Sequence, residues 1–555
     1  MILRRLYLYL VSAAALVVLA AGLVLLGGTI LLFALNDPTA DTSRGQLAIF
    51  TAMTVVALPV WGVHFWFAQR FASRDPFERS SALRRLYLYW ACLASSIAAM
   101  IAVTALVVQL LQPYLDNLPL NALSASQIGW AALVFAAIWA FHFYVAWRDR
   151  AAVGEEGRSA TLRRWYMYVA LLVGLLTLLA GTASLLQIAW TKLALDAPDR
   201  IFSLAGPAGL TIVGLLLWAV HARVIAIKHV TEDRHSTLRA LEGFIAVAVS
   251  IATALFGASQ ILYYLLARLL GVDNPGGAGT NFIAAAAAPG SALLVYGIAW
   301  VLISRRLARD AGAQEADRQA AIRRLYTNLA TLISLAAWGV GAAWLLATLA
   351  EQAEAPIIGV KAADWRDPLS ISVTLLVVGG VVWVAHWRHS PWAADRQSLS
   401  RKLYVWAALL GSVLAVLGGG VGIVNAVLQQ VFSAHPHLDD TANLDFGRFL
   451  AVIIVAAGIG VYHWIVLRGD AAARPPKPMT APAIDTAKVA PVAVVATSAK
   501  AEPTVPTAEP AGPHARRYTL VVSDATEDDV HQALAQLPPH ASYHLTPTEQ
   551  TVDGH

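Results

Sequence analysis

Long apolar stretches alternate with short clusters of charged residues along most of the chain. Most of these stretches reach the roughly 20 residues that an α-helix needs to cross a bilayer. Taken in pairs, they predict helices at 6–35 and 46–69, 86–113 and 127–147, 165–191 and 204–226, 239–270 and 283–304, 325–350 and 368–387, and 403–432 and 446–467. The pattern therefore predicts an all-α integral membrane protein with about twelve transmembrane helices.

A motif of basic and aromatic residues opens the first helix of each pair. It reads Leu3-Arg-Arg-Leu-Tyr-Leu-Tyr9, and further copies begin at Leu83, Leu162, Leu238, Ile322 and Ser400. Self-similarity at a nearly fixed period, here about 80 residues, indicates a repeat architecture. Because each repeat holds two spans, the repeats are parallel in the membrane. The six predicted two-helix units are 1–81, 82–160, 161–236, 237–320, 321–399 and 400–470.

The composition agrees with a membrane protein and limits its chemistry. Hydrophobic residues make up 58% of the 555 positions, charged residues make up 14%, and the mean hydropathy is +0.59. In a typical soluble domain, about a quarter of all residues are charged. A single cysteine, Cys92, excludes a disulfide within the chain. The Walker A loop, the His-Glu-x-x-His motif and the Gly-x-Ser-x-Gly elbow are missing, so the sequence has no enzyme signature among these.

Basic residues divide unevenly between the two membrane sides. Up to Asp470, the side with the N-terminus and the repeated motifs carries 27 lysines and arginines, and the opposite side carries seven. Such residues are in excess in cytoplasmic loops. We therefore expect a cytoplasmic (inner) membrane protein with both its N-terminus and its C-terminus cytoplasmic. The net charge of +5 follows this topology and does not indicate nucleic-acid binding.

The composition changes after Asp470. Residues 471–515 are rich in Ala, Pro, Thr and Val, which is typical of a semi-extended linker. Residues 516–555 have runs of strand and helix character, but about 40 residues are marginal for an independent fold. Two interpretations of residues 516–555 therefore remain: a small folded cytoplasmic segment and a mostly disordered tail. In either form, residues 471–555 are the expected contact with a cytoplasmic protein partner.

A second motif lies near the end of the second helix in five units. In unit 1 it reads Trp61-Gly-Val-His64, and each histidine precedes the basic cluster that ends its helix. Tyrosine and tryptophan are common at the membrane interface, and histidine in a last turn can bond otherwise unpaired carbonyls. The preferred interpretation is structural, with Tyr–His pairs that join two helices of a unit or one unit to the next. The candidate pairs are Tyr7 with His64, Tyr87 with His142, Tyr166 with His221, Tyr326 with His386, and Tyr404 with His463.

Two functional alternatives remain for these residues and helices. Neutral imidazoles from membrane helices can hold a b-type haem, and five histidines at one depth are candidates for axial ligands. A small-solute transporter or channel is the other, although the middle of every predicted helix lacks Asp, Glu, Lys and Arg. We predict no metal site, because no helix carries a second nitrogen ligand at helical spacing, apart from His386 and His389, and no carboxylate is placed to help. We likewise expect no cofactor, with haem b as the alternative.

Unit 4 departs from both motifs. Glu242 stands where the other units have the first motif tyrosine, and Ala299 stands where they have the histidine. The joint loss favours the idea that these two positions interact. Drift of one degenerate copy is the simpler alternative.

The pair of motifs carries a family resemblance. Leu3-Arg-Arg-Leu-Tyr-Leu-Tyr9, followed by Leu58-Pro-Val-Trp-Gly-Val-His-Phe-Trp-Phe-Ala-Gln-Arg70, resembles the bacterial membrane domain of unknown function 5671, in tandem copies across nearly all of residues 1–470. The resemblance implies a multi-pass helical membrane protein. It implies no activity, cofactor or site residue.

These observations favour a non-enzymatic membrane scaffold or a signalling or assembly component. Membrane lipids and a cytoplasmic protein reached through the tail are the expected partners. Transport and haem-based electron transfer remain the alternatives described above.

Overall fold

The architecture comes from a computed structural model that describes residues 2–155, 157–195, 203–224, 230–234, 236–311, 317–359, 361–388, 396, 398–432 and 440–472. All regular secondary structure in these ranges is helical. Apart from residues 471 and 472, the predicted linker 471–515 and the predicted segment 516–555 lie outside them.

Twelve long helices form the frame of the protein. They are α1 (Ile2–Ala34), α2 (Arg44–Arg74), α3 (Ala82–Leu115), α4 (Ala122–Val153), α5 (Gly157–Leu195), α6 (Ala205–Val224), α7 (Thr237–Leu269), α8 (Ala287–Ala311), α9 (Asp317–Ile358), α10 (Arg366–Arg388), α11 (Leu399–Phe432) and α12 (Asp440–Ala472). Each contains a segment long and apolar enough to cross a membrane. The chain is therefore an all-α, multi-pass membrane protein, as the apolar pattern predicts.

Several helices extend past the apolar spans that the sequence predicts. Helix α5 begins at Gly157 instead of 165, and α9 occupies Asp317–Ile358 instead of 325–350. The added turns contain Arg, Leu and Ala, which favour helix, so the helix continues into the basic motif. The predicted helix 283–304 is divided into a short helix, Phe282–Ala285, and α8. Two other short α-helices, Pro76–Arg79 and Val230–Asp233, follow the second long helix of units 1 and 3.

The helices pack as hairpins that follow one another in sequence order. In every unit the first helix packs along the second, as α1 does with α2 and α3 does with α4. The first helix of each unit also packs against both helices of the next unit, as α1 does with α3 and α4. Every extensively packed helix pair in the described ranges belongs to one unit or to two consecutive units. The first helices therefore form the line along which the units join.

Glycines bring the two helices of some hairpins into close contact. In unit 5, a Cβ added at Gly379 of α10 would lie 2.7 Å from the backbone nitrogen of Trp338 on α9. Gly341 of α9 makes the reciprocal approach, since a Cβ added there would lie 2.8 Å from the Leu375 Cβ. Small residues allow such close approach in membrane helices, where apolar burial does not drive association.

Large apolar side chains cover the outside of the helices. Val421 is 69% exposed and Ile465 is 63% exposed within the protein, although both lie in membrane-spanning helices. Patches of this extent mark contact with a membrane or a partner. Here the acyl chains of the bilayer are the environment that such a surface requires.

The glycine contacts in unit 5 generate a stability prediction. We expect Gly379→Ala to lower the free energy of unfolding by about 1–3 kcal/mol, because the new methyl group overlaps the α9 backbone. Thermal unfolding of the detergent-purified protein measures the change. Gly411→Ala is the matched control, since a Cβ at Gly411 meets nothing within 4 Å. Equal melting temperatures for the two variants would contradict the close-packing account.

Candidate functional site

The structure brings four of the five candidate Tyr–His pairs into hydrogen-bond contact. In each pair, the tyrosine lies on the first helix of a unit and the histidine on the second helix of the same unit. The Oη–Nε2 distances are 3.1 Å for Tyr7–His64, Tyr87–His142 and Tyr166–His221, and 2.8 Å for Tyr404–His463. The first pair is exposed, and the other three are buried.

The second ring nitrogen of each histidine fixes the direction of these bonds. In all five units the histidine Nδ1 lies 2.7–2.9 Å from the backbone carbonyl four residues earlier. A carbonyl only accepts, so Nδ1 carries the proton. The neutral ring then offers Nε2 as an acceptor, and the tyrosine hydroxyl donates to it. In the four bonded pairs, both nitrogens of the imidazole are thus already satisfied.

Tryptophans from the preceding unit complete the arrangement. Trp61 Nε1 donates to the Tyr87 hydroxyl at 3.0 Å, Trp139 Nε1 to that of Tyr166 at 2.8 Å, and Trp383 Nε1 to that of Tyr404 at 3.1 Å. Each of these tyrosines therefore accepts from one unit and donates within its own. The resulting Trp–Tyr–His triad joins units 1 and 2, units 2 and 3, and units 5 and 6.

The arginines of the first motif form ion pairs beside the triads. Arg84 Nε lies 2.6 Å from an Asp149 carboxylate oxygen, and both side chains are fully buried. Arg239 pairs with Asp310, and Arg401 pairs with Asp470, each at 2.7 Å. In these three pairs the acidic partner lies at or near the end of the second helix of the same unit. In unit 1, Arg4 and Arg5 both pair with Glu78 in the short helix after α2.

Ion pairs also cross from unit 2 to unit 3. Glu155 follows α4 and lies 2.9 Å from Arg163 Nε of α5, and it accepts a hydrogen bond from the Tyr89 hydroxyl at 2.7 Å. Arg163 and Arg164 share Asp233, at 3.1 Å and 2.7 Å. Glu155 therefore links the basic motifs of units 2 and 3, whereas Asp233 joins two arginines within unit 3.

The Asp233 carboxyl lies in the short helix outside the spanning segments. Burial alone would raise its pKa, but the hydrogen bonds and positive charges of Arg163 and Arg164 outweigh burial. The pKa of Asp233 consequently lies below its usual value. Asp233 is thus a carboxylate that holds two arginines together.

Sequence reasoning missed the tryptophan donors and the acidic partners. The signal for the first is the tryptophan three residues before the histidine in Trp61–His64, Trp139–His142 and Trp383–His386. The signal for the second is an acidic residue 65 to 71 residues after a motif arginine, in Arg84–Asp149, Arg164–Asp233, Arg239–Asp310 and Arg401–Asp470. Both signals repeat with the units.

Unit 4 replaces the Tyr–His bond with an ion pair. The Glu242 carboxylate on α7 accepts from Arg306 of α8 at 2.5 Å. Ala299, at the histidine position, is buried among apolar side chains that include Val247 and Ile303. Glu242 and Ala299 therefore do not meet as a pair, and unit 4 joins its helices through a different contact.

The candidate pair in unit 5 differs from the others. The rings of Tyr326 and His386 are 6.1 Å apart, and no hydrogen bond joins them in the described part of the chain. The preceding unit has Tyr296 where a tryptophan donor stands elsewhere. The Tyr326 hydroxyl thus lacks both contacts of the triad, and its ring and that of His386 line a cavity between units 4 and 5.

The comparisons with known proteins identify the family. The model of the domain of unknown function DUF5671 matches residues 5–132, 125–204, 174–292 and 324–459, which together exceed half of the chain. The chain belongs to this family. The resemblance inferred from the two motifs is therefore confirmed. The matches 5–132 and 324–459 each extend over most of two consecutive units. No curated protein and no solved structure matches the chain.

Membership in the DUF5671 family assigns no activity, so the function rests on the geometry. Within the described ranges, no three His, Cys, Asp or Glu residues form a group that could hold a metal ion. The residue groups that recur are instead the Trp–Tyr–His triad and the arginine–carboxylate pair.

The triad between units 1 and 2 can be tested by removing one hydroxyl. We expect Tyr87→Phe to lower the free energy of unfolding by about 1–3 kcal/mol, because Trp61 Nε1 and His142 Nε2 both lose their partner in a buried site. Tyr7→Phe is the control, since Tyr7 is 58% exposed and has one such bond. Thermal unfolding in one detergent compares them, and a larger loss for Tyr7→Phe would contradict the role of the triad.

Asp233 generates a pH prediction. A carboxyl whose pKa is lowered by folding stabilises the protein above its unfolded pKa, about 3.9, and this contribution is lost as the pH falls through the lower folded value. We expect Asp233→Asn to be less stable than the wild type at neutral pH, with the difference shrinking on acidification below about pH 4. Melting temperature against pH measures it.

Asp41→Asn is the control for this pH experiment, because the Asp41 side chain is 82% exposed and pairs with Arg44 in the neighbouring turn. Its curve should follow that of the wild type. A constant difference between Asp233→Asn and the wild type at all pH values would refute the ion-pair role of Asp233.

Proposed function

We propose that this DUF5671 protein is a non-enzymatic scaffold of the cytoplasmic membrane that supports assembly or signalling. The observation that carries the proposal is the use of the repeated polar residues in contacts between helices and between units. In a triad such as Trp61–Tyr87–His142, every donor and the ring acceptor is engaged within the protein. A site whose polar groups all bond within the protein holds helices together, and it has few free donors or acceptors for a substrate.

The buried ion pairs support the same proposal. Arg84 and Asp149 lie within hydrogen-bond distance, and Arg84 also donates to the Gln69 side chain at 2.8 Å. Removing one partner of a buried pair leaves an uncompensated charge, which costs about 3–5 kcal/mol. Fixed pairs within successive units favour a rigid platform.

The alternatives receive less support from the geometry. A haem iron needs a free imidazole nitrogen, whereas the Nε2 atoms of His64, His142, His221 and His463 already accept from tyrosines. A polar solute needs polar walls, whereas the two cavities of about 560 and 750 Å³ have mainly apolar linings.

The orientation follows from the charge distribution. The side with 27 lysines and arginines is proposed to face the cytoplasm, so both termini lie there. Residues 471–555 are then on the cytoplasmic side, where we propose that they recruit a protein partner. The apolar outer faces of the helices remain in contact with membrane lipids.

One proximity-labelling experiment tests orientation and recruitment together. A biotin ligase that uses ATP, fused to the C-terminus, is expected to label a defined set of cytoplasmic proteins in living cells. The same ligase fused after Asp470 should lose part of that set, because the tail is missing. Mass spectrometry of biotinylated proteins measures the difference.

A chain with residues 516–555 in scrambled order is the matched control, since it keeps the length and composition of the tail. Identical labelling by the native, scrambled and truncated chains would refute recruitment through the tail. An absence of labelling by a stably inserted fusion, combined with exposure of the C-terminus outside the cell, would refute the orientation.

A further inference from the structure

The cavity between units 4 and 5 is a place where the repeat pattern is broken. It has a volume of about 750 Å³, within the range of small-molecule sites, and is formed by α7 and α8 of unit 4 with α9 and α10 of unit 5. Its walls are mainly apolar. The polar side chains that line it are Ser304, Arg323, Tyr326, Thr327 and His386.

These polar residues are located together along the helices. Arg323, Tyr326 and Thr327 belong to the motif that opens α9, and Ser304 immediately precedes the basic cluster of α8. The cavity therefore has a polar end on the motif side of the membrane. An apolar section continues deeper, beside residues such as Ile251 and Leu293.

Two hydrogen-bonding groups at the polar end are available to a ligand. The His386 Nδ1 bonds the Val382 carbonyl at 2.8 Å, so the neutral ring presents Nε2 as an acceptor. The Tyr326 hydroxyl presents a donor. In the four bonded pairs the ring centroids are 5.4–5.5 Å apart, whereas here they are 6.1 Å apart. No protein hydrogen bond to either group is present in the described residues.

The cause of this availability lies in unit 4. At three other boundaries a tryptophan of the preceding unit donates to the motif tyrosine, but unit 4 has Tyr296 at the tryptophan position. Tyr326 therefore loses its donor from the neighbouring unit as well as its bond to His386. The sequence thus keeps the Tyr326 hydroxyl and the His386 imidazole, although the hydrogen bonds of the triad are missing here.

The walls near this end favour a flat, conjugated head group. Phe244 lies 6.0 Å from the Tyr326 ring centroid, and Trp300 also lines the cavity. Aromatic side chains pack well against planar rings. The hydroxyl of Tyr326 and the neutral imidazole of His386 are uncharged, so these two groups point to a neutral head rather than an anionic one.

We propose that this cavity binds a membrane quinone, with a ring carbonyl accepting from the Tyr326 hydroxyl. The isoprenoid tail lies along the apolar section formed by α7 and α8. In the quinol form, the ring hydroxyl donates to His386 Nε2. The site binds both forms, and no electron transfer is part of the assignment. It does not depend on the recruitment of a partner by the tail.

A titration of decylubiquinone tests the site. The full chain is placed in nanodiscs of synthetic phosphatidylcholine, and bound quinone is measured by extraction and chromatography after removal of excess. We expect saturation at about one molecule per chain. We expect Tyr326→Phe to weaken binding about threefold to tenfold, which is the usual effect of one neutral hydrogen bond.

Two matched controls separate binding from folding. Tyr404→Phe removes a hydroxyl that is bonded to Trp383 and His463, so it should lower stability without changing quinone affinity. Tyr326→Phe should do the reverse and leave the melting temperature of the quinone-free protein unchanged. A large fall in that melting temperature would show a structural role for Tyr326 and overturn the assignment.

A blocking variant gives a second, independent measurement. A Cβ at Gly297 meets nothing within 4 Å, and Gly297 lines the cavity, so Gly297→Leu should fill the space and abolish saturable binding. Gly411→Leu is the control, because Gly411 has the same freedom but lines a different cavity, between units 5 and 6.

The outcomes against the proposal are specific. Equal saturable binding by the wild type and Gly297→Leu would place the quinone elsewhere. An absence of saturable binding to the wild type would reject a quinone site. Saturable binding of phosphatidylglycerol in the same assay, with decylubiquinone unable to compete, would identify an anionic lipid as the occupant and overturn the proposal.

Discussion

The buried hydrogen bond of the motif tyrosine is the contact on which the arrangement of units depends. In a bilayer, water is not available to satisfy a buried polar group, so each donor and acceptor needs a protein partner. The Tyr87 hydroxyl meets this requirement in two directions, since it accepts from Trp61 and donates to His142. One hydroxyl therefore fixes both the hairpin of its own unit and the position of the preceding unit.

The arginine–carboxylate pairs are subject to the same constraint. Leaving a buried charge unpaired costs more free energy than leaving a neutral polar group unpaired. Arg84 and Arg85 are fully buried, so their guanidinium groups depend on partners within the protein. Each is held by carboxylates or carbonyls at the end of the second helix, as Arg85 is by the Ala146 carbonyl at 3.1 Å. A misplaced hairpin would leave a charge unpaired in a low-dielectric environment. Such pairs therefore favour one register between the two helices of a unit.

The helices were predictable from the sequence because membrane insertion acts on a one-dimensional property, the length of an apolar segment. The predicted starts differ most for α5 and α9, which begin at Gly157 and Asp317, because residues of high helix propensity continue the helix ahead of the apolar span. The pairing of tyrosine and histidine positions was accessible because Glu242 and Ala299 change together. The tryptophan donors were not, because Trp61 looks the same in the sequence whether it faces lipid or Tyr87. Asp149 was missed for a similar reason, since its partner lies 65 residues away.

The exception in unit 4 shows how repetition permits a local change. The Glu242–Arg306 ion pair still joins the two helices of the unit, so an ion pair takes the place of the Tyr–His hydrogen bond in this hairpin. The hydrogen bond from tryptophan to the motif tyrosine of the next unit has no such replacement, because Tyr296 does not donate to Tyr326 in the described structure. The triads between units 1 and 2, units 2 and 3, and units 5 and 6 remain in place beside the changed boundary between units 4 and 5. Polar groups at this boundary thus face a cavity, where an external molecule rather than the protein supplies the missing partner.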